Sequence, residues 1–230
     1  MESFHLLPSR RGFTQPLTVS AGFTLVELLV VLAIITSITA VVFSSQSTFN
    51  KTLILANTAY DVALSLRSVE THGIGGRAIS VYPTGYGIHL DHGAPGSFIL
   101  FADVYPLPSL ASVCHPTTDM SAPDAQPGNC KYDSSNGEWV SATTLGNNIT
   151  ISDFCAYPPA PQGKLCTNLG NLTSLDIVFA RPNPDPLISP NGTFIAGTTA
   201  CLTLSSAQGG SRSVSVLASG QITTSASPCL

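Results

Sequence analysis

The first third of the chain carries a hydrophobic pattern that differs from that of the remainder. Between Phe23 and Asn50 the only charged residue is Glu27, and the 21 residues from Phe23 to Phe43 are almost all apolar. In helical form a segment of this length would be about 30 Å long, which is the thickness of the hydrocarbon core of a bilayer. The sequence therefore predicts a transmembrane helix over residues 23–43.

The helix is predicted to continue beyond the membrane, because no Gly or Pro occurs between Phe23 and His72. Past Phe43, apolar residues recur at steps of three and four, which is typical of an amphipathic helix with one buried face. The residues predicted to face the core are Phe49, Leu53, Ala56, Tyr60, Ala63 and Leu66. Gly73 is predicted as the residue that ends the helix.

After Gly76 the pattern changes to short alternating segments separated by turns that contain Gly or Pro. Eight strands are predicted: Arg77–Tyr82, Gly85–Asp91, Ser97–Asp103, Asn148–Ser152, Leu175–Ala180, Thr193–Ser205, Ser211–Ala218 and Gln221–Ser225. Residues 106–146 alternate poorly and are predicted to form a long loop. The expected fold class is α+β: a long N-terminal helix, transmembrane in its first half and amphipathic in its second, packed on an antiparallel β-sheet or two-sheet globular domain.

The charge of the chain argues against one class of partner, nucleic acid. Charged residues make up 10% of the sequence, against about 25% in typical soluble domains. The net charge of −4 argues against binding nucleic acid through a broad basic surface. Loss of residues 1–22 would remove one acidic and two basic residues, leaving 7 basic against 12 acidic residues, or −5. No nucleic acid is expected as a partner.

The chain has six cysteines, all from residue 114 onward: Cys114, Cys130, Cys155, Cys166, Cys201 and Cys229. None has the C-x-x-C spacing of zinc ribbons or redox motifs. Behind an export signal, three disulfides are the favoured interpretation and free buried thiols the alternative. Six cysteines allow 15 pairings; proximity along the chain suggests Cys114–Cys130, Cys155–Cys166 and Cys201–Cys229.

Two simpler interpretations of the N-terminal segment fit it less well. A secretory signal peptide would have a shorter apolar run followed by an A-x-A cleavage site. A plain signal anchor would leave Glu27 unexplained, since a carboxylate inside a membrane span costs about 2.5–3.5 kcal/mol on insertion scales. Arg10 and Arg11 precede the span, so the positive-inside rule places the N-terminus in the cytoplasm and the residues after Phe43 outside it.

The run from Gly22 through Phe23, Thr24 and Glu27 to Ile35 resembles the signal of type IV prepilins and type II secretion pseudopilins. The resemblance implies that a prepilin peptidase cuts between Gly22 and Phe23 and N-methylates Phe23, and that Glu27 is retained in the membrane helix. Glu27 could then pair with the Phe23 amine of a neighbouring subunit and set the axial register of a filament. The implied partners are prepilin peptidase, other pilin or pseudopilin subunits, an inner-membrane assembly platform and, before assembly, membrane lipid.

The globular part loosely resembles the GspH/FimT branch of that family, through residues 85–90, 98–103 and 214–222. The implied organisation is a leader peptide (1–22), the transmembrane half of a helix (23–43), its amphipathic half (44–72) and a β-rich globular domain (77–230). The leading hypothesis is a minor pilin or GspH-like pseudopilin in the inner membrane, assembled into a pilus or pseudopilus. The alternatives are a binding module at a filament tip, either an adhesin or a DNA-uptake receptor, and a major pilin.

No enzyme, cofactor or metal site is expected from the motifs. His89, Asp91 and His92, followed by Asp103, could form a metal site, but a solvated strand end and turn is the favoured interpretation. Asp119, Asp124 and Asp133 lack the spacing of a calcium loop. The GspH/FimT branch includes DNA-uptake receptors that depend on basic residues near the C-terminus; the corresponding Gly220-Gln221-Ile222-Thr223 carries none.

Overall fold

The computed structural model divides into two compact units, Met1–Gln46 and Ser47–Leu230. One helix, α1 (Leu25–Ile74), contains the boundary between them. The structure describes residues 22–75, 78–79, 82–83, 85–104, 128–181 and 184–229, without the side chains of residues 44–49, 78–79 and 82–83.

The part of α1 from Leu25 to Phe43 is apolar and exposed. Residues Leu25–Phe43 form a 19-residue stretch that is long and apolar enough to cross a membrane, and none of it is buried. The hydroxyls of Thr36, Ser37 and Thr39 donate to backbone carbonyls three or four residues earlier, at 2.7–3.0 Å. These polar groups are therefore satisfied within the helix, as a lipid environment requires.

In the second unit, one face of α1 enters the core through Leu55, Ala59, Val62, Leu66 and Val69. The sequence prediction was right for Leu66, which is buried, and wrong for Leu53 and Tyr60, which are 44% and 59% exposed. Ala56 and Ala63 are half-buried, and the side chain of Phe49 lies outside the described residues. The cause is the run Leu53-Ile54-Leu55: apolar residues lie on several faces here, so spacing alone does not identify the buried one.

The end of α1 also differs from the prediction. The helix continues through Gly73 to Ile74, and the Gly75 N–H donates to the Thr71 carbonyl at 2.9 Å. Gly73 is buried, and a Cβ at this position would overlap the backbone carbonyl of Phe179. Its small size therefore serves close packing of the helix on a strand rather than a left-handed cap.

The described residues after α1 contain twelve antiparallel strands: β1 (Ala78–Ile79), β2 (Tyr82–Pro83), β3 (Gly85–Asp91), β4 (Ser97–Asp103), β5 (Trp139–Thr144), β6 (Ile149–Tyr157), β7 (Leu165–Cys166), β8 (Ser174–Phe179), β9 (Leu187–Pro190), β10 (Thr199–Ser206), β11 (Ser211–Val216) and β12 (Ile222–Ser225). β1 and β2 form a hairpin; the others form two five-stranded sheets, β12-β11-β10-β6-β7 and β5-β4-β3-β8-β9. The predicted α+β class with two antiparallel sheets is confirmed.

The strand predictions were accurate for β3 and β4, and the bounds of β8, β11 and β12 were predicted to within two residues. β5 lies inside the predicted loop of residues 106–146, and the two short edge strands β7 and β9 were missed. β10 begins at Thr199 rather than Thr193, since Gly197 has a positive φ of 71° that interrupts the extended backbone. Three residues of the first predicted strand lie outside the described residues: Arg77, Ser80 and Val81.

The central strands β3 and β8 of the second sheet are buried on both faces. One face joins α1 and the first sheet in the main core, with Ile88, Leu90 and Ile177 fully buried. The other face carries a smaller cluster of Phe101, Cys130 and Val178, with Tyr132 packed against it. The segment from Gly128 to Glu138 therefore covers part of this sheet, which positions its polar groups over β3, β4 and β8.

Two disulfides are present among the described residues. Cys155 on β6 is bonded to Cys166 on β7, and Cys201 on β10 to Cys229 near the C-terminus. Both pairs match those suggested by proximity along the chain. Cys130 is also disulfide-bonded, while Cys114, its predicted partner, lies outside the described residues.

Candidate functional site

The start of α1 carries the polar residues that the sequence singled out. Thr24 immediately precedes the helix and Glu27 is its third residue. The Glu27 N–H donates to Thr24 Oγ1 at 3.2 Å, and the Thr24 hydroxyl lies 3.5 Å from Glu27 Oε2. Thr24 therefore caps the helix, and the T-x-x-E spacing is that of a capping box. The sequence prediction gave Glu27 a role in subunit pairing and did not include this local role, which the three-residue spacing of Thr24 and Glu27 could have indicated.

The backbone before the cap is open. Gly22, Phe23 and Thr24 precede the helix, the Phe23 side chain is 85% exposed, and no atom of the described residues lies within 4 Å of the position a Gly22 Cβ would take. Glu27 is also exposed. The peptide bond between Gly22 and Phe23 thus lies outside the hydrogen-bonded helix, where a peptidase could reach it, and the carboxylate of Glu27 lies in the first turn, where the helix dipole favours negative charge.

A second group of polar residues lies in the second unit, where three buried carboxylates hold the segment 128–138 against the sheet. Asp103 on β4 accepts the N–H groups of Asn129 and Cys130 at 2.9 and 2.7 Å. Glu138 accepts those of Val104 and Asp133 at 3.0 and 2.7 Å. These carboxylates replace the missing hydrogen bonds of an irregular segment, which explains why acidic side chains are tolerated here.

The third carboxylate, Asp176 on β8, lies directly opposite His89 on β3. Its Oδ1 is 2.7 Å from His89 Nδ1 and accepts the Tyr132 N–H at 3.2 Å. The His89 ring also contacts the Tyr132 ring, with centroids 5.0 Å apart. The pair is an internal polar contact that the sequence did not reveal, because its partners are 87 residues apart.

The residues considered for a metal site are not brought together. His89 is half-buried against Asp176, while Asp91 and His92 are exposed and form the expected solvated strand end. Asp103 pairs with Gly85, at the other end of β3 from Asp91. Asp133 accepts from the Asn129 side-chain amide at 2.8 Å and lies 3.4 Å from the Lys131 ammonium, whereas Asp119 and Asp124 lie outside the described residues.

Within the described residues, one group of side chains has potential metal-ligand atoms within 4.8 Å of one another: Asp153, Cys155 and Cys166. The two cysteines are bonded to each other, so neither sulfur is a thiolate. Asp153 instead accepts the Thr167 hydroxyl and the Asn168 N–H at 2.5 and 3.1 Å, which fixes the short 3₁₀ helix Thr167–Leu169 beside β6. The arrangement is structural.

Burial raises the pKa of two of these carboxyls. Burial and the nearby Glu138 charge hold the pKa of Asp103 well above its ordinary value of 3.8, against two backbone hydrogen bonds that lower it. Burial likewise raises the pKa of Asp176, against the opposing effect of His89. The folded state therefore binds more protons than the unfolded state between the ordinary and the raised pKa values.

Proton binding by Asp103 and Asp176 therefore stabilises the folded state. This stabilisation is complete below the ordinary Asp pKa and is lost as the pH rises through the raised pKa values of the folded state. The free energy of unfolding is thus expected to fall as the pH rises from about 4. Urea unfolding of the detergent-solubilised full chain at a series of pH values measures it. Asp103→Asn should lower stability throughout, because an amide NH₂ cannot accept a backbone N–H, and should also flatten the pH dependence. A slope unchanged in Asp103→Asn would contradict this assignment.

Comparison with known proteins identifies the N-terminal segment. Residues 18–43 match the family model described as the prokaryotic N-terminal methylation motif. That match supports a relationship to type IV pilins and pseudopilins and suggests processing by prepilin peptidase. No curated protein and no solved structure matches the chain.

Proposed function

We propose that this protein is a minor pilin or GspH-like pseudopilin, a structural subunit that is cut by prepilin peptidase and assembled into a type IV pilus or type II secretion pseudopilus. The observation that carries the proposal is the methylation motif over residues 18–43, together with a helix that begins two residues after Phe23. The cleaved leader is residues 1–22. Residues 23–43 are the membrane half of the helix, and residues 77–230 are a GspH/FimT-like domain.

Processing takes place at Gly22–Phe23. The exposed, non-helical backbone at this junction supports cleavage there, because a peptidase needs an extended substrate that is not held by helical hydrogen bonds. Cleavage gives Phe23 a free amine, which is then methylated. Glu27 lies one turn further along α1, within reach of the amine of a neighbouring subunit.

The mature subunit first resides in the inner membrane as a single-pass protein. Arg10 and Arg11 keep the leader in the cytoplasm, so the residues after Phe43 lie on the other side. The assembly platform then moves the subunit from lipid into the filament, and the exposed apolar surface of residues 25–43 exchanges lipid contacts for contacts with other subunits.

The second unit supports assembly through the outer face of α1. Leu53, Tyr60 and Leu64 are exposed at spacings of seven and four residues, which puts them on one stripe of the helix. This stripe is distinct from the buried residues Leu55, Val62 and Leu66. Helices of adjacent subunits can cover it in a filament.

Coexpression of the full chain with a prepilin peptidase, followed by mass spectrometry of the product, tests the proposal. We expect loss of residues 1–22 and one methyl group on the amine of Phe23. Gly22→Val should leave the precursor uncut, because the peptidase is expected to require the small residue before the cleaved bond. Cleavage after residue 43 would instead identify a secretory signal peptide, and an uncut wild-type chain would identify a signal anchor; either result would overturn the proposal.

A further inference from the structure

The hydrogen bonds at the start of α1 determine how far the helix extends towards Phe23. The Leu28 N–H donates to the Thr24 carbonyl at 3.1 Å, which is the first main-chain bond of the helix. The preceding N–H in the turn, that of Glu27, donates to Thr24 Oγ1 at 3.2 Å. Thr24 therefore accepts two N–H groups of the first turn, one through its main chain and one through its hydroxyl.

A second acceptor for the Glu27 N–H is the carbonyl of Phe23. In a regular α-helix an N–H donates to the carbonyl four residues earlier, which for Glu27 is that of Phe23. The Phe23 carbonyl and the Thr24 hydroxyl therefore compete for one donor, and in the structure the hydroxyl has it. If Phe23 accepted instead, the helix would gain a residue, and the Val26 N–H could then donate to the Gly22 carbonyl.

Loss of the Thr24 hydroxyl would favour this extension of the helix. A main-chain N–H without an acceptor is costly in lipid, so the Glu27 N–H has to bond to one acceptor or the other. Gly22 does not prevent the extension, because glycine is accepted at the N-cap position. After cleavage the Phe23 ammonium opposes it, since positive charge is unfavourable at a helix N-terminus; in the mature chain, loss of the cap therefore frays the turn instead.

We propose that Thr24 is a positioning residue for cleavage, because its hydroxyl accepts the Glu27 N–H and so keeps the Gly22–Phe23 peptide outside the helix. The inference rests on the proposed function, for which the methylation motif over residues 18–43 is evidence independent of the cap. In the hydrolysis, the hydroxyl of a water molecule bonds to the Gly22 carbonyl carbon, the C–N bond breaks, and the Phe23 nitrogen takes the remaining proton. A Gly22 carbonyl that accepts a helical hydrogen bond is not presented for this attack.

The rate at which prepilin peptidase cuts the full-length precursor in detergent, followed by mass spectrometry at substrate concentrations below the KM, tests the proposal. Thr24→Val keeps the branched shape and the helix propensity of threonine but removes the acceptor. Its kcat/KM should fall about fivefold, the effect of losing one threonine cap. Thr24→Asn changes the shape but keeps an oxygen acceptor, and asparagine is at least as good a cap, so it should be cut at the wild-type rate.

Thr36→Val is the matched control, because it makes the same substitution further along α1. The Thr36 hydroxyl donates to the carbonyls of Leu32 and Ala33 at 2.9 and 3.0 Å, so its loss should leave the cleavage rate unchanged. Equal rates for Thr24→Val and Thr36→Val overturn the proposal. So does a Thr24→Asn chain that is slowed as much as Thr24→Val, since the peptidase then recognises the shape of the residue. A wild-type chain that is not cut contradicts the proposed function as well, whereas these outcomes with a cut wild type contradict this inference alone.

Hydrogen exchange of the uncut precursor, without peptidase, shows directly whether the helix extends. In Thr24→Val the Val26 N–H should gain the Gly22 carbonyl as an acceptor, so the amides of residues 22–28 should exchange more slowly than in the wild type. In Thr24→Asn they should exchange as in the wild type. Faster exchange in Thr24→Val would mean that the first turn frays in the precursor, and would overturn the proposal even if cleavage were slowed.

Discussion

Replacing Glu27 with Ala is expected to reduce incorporation into filaments by more than about a hundredfold. In a filament interior, the amine of Phe23 would lose its countercharge, and removing one partner of a buried ion pair costs about 3–5 kcal/mol. The measurement is the pelletable filament fraction of processed subunit, normalised to the amount in the membrane. Incorporation of Glu27→Ala at the wild-type rate would show that the carboxylate does not set register.

The capping box gives Glu27 a second, local role that must be separated from the first. Thr24 accepts the Glu27 N–H at 3.2 Å and lies within 3.5 Å of its carboxylate. Loss of a threonine cap costs about 1 kcal/mol, which is much less than an uncompensated charge. Thr24→Ala is therefore expected to reduce incorporation by no more than about fivefold, by fraying the first turn.

Glu27→Gln separates the two roles. Glutamine also completes a capping box, so it keeps the local function while removing the charge. If pairing with the Phe23 amine controls incorporation, Glu27→Gln fails as Glu27→Ala does, and Thr24→Ala stays close to the wild type. If Glu27→Gln is instead incorporated at the wild-type rate and Thr24→Ala is impaired, the function of Glu27 is helix capping.

The extent of α1 and the central strands could be predicted from the sequence because their signals are local. The apolar run from Phe23 and the alternation in β3 and β4 each lie within one short window. The buried face of α1 could not be chosen, since Leu53, Ile54 and Leu55 are similar in hydrophobicity and differ only in what they meet: Leu55 is in the core and Leu53 is exposed.

The interactions that cover the second sheet are non-local, and this is why they were missed. Asp103 accepts from Asn129 and Cys130, 26 and 27 residues away. From the local sequence alone, Asp103 would be placed at a solvated strand end. Its burial can be recognised only from the N–H groups that donate to its carboxylate, and these are distant in sequence. The same reason hides β5, whose neutral residues Trp139–Thr144 become a strand only by pairing with β4.

Gly73→Ala is expected to destabilise the second unit by about 1–3 kcal/mol. Gly73 lies in the last turn of α1, and a Cβ there would overlap the backbone carbonyl of the fully buried Phe179 on β8. A backbone carbonyl cannot rotate away as a side chain can, and β8 is hydrogen-bonded to strands on both sides, β3 and β9. Relief of the overlap must therefore move the helix end or distort the sheet. Urea unfolding of the detergent-solubilised chain measures the change.

Gly96→Ala is the matched control for this substitution. It adds the same methyl group at a position with no atom of the described residues within 4 Å and no positive φ, so its effect should stay within about 0.5 kcal/mol. Helix propensity acts in the opposite direction at Gly73, because alanine is favoured over glycine inside a helix by about 1 kcal/mol. A stability of Gly73→Ala at or above that of the control would mean that the propensity gain dominates. The end of α1 would then not pack closely on Phe179, and the proposed role of Gly73 in close packing would be wrong.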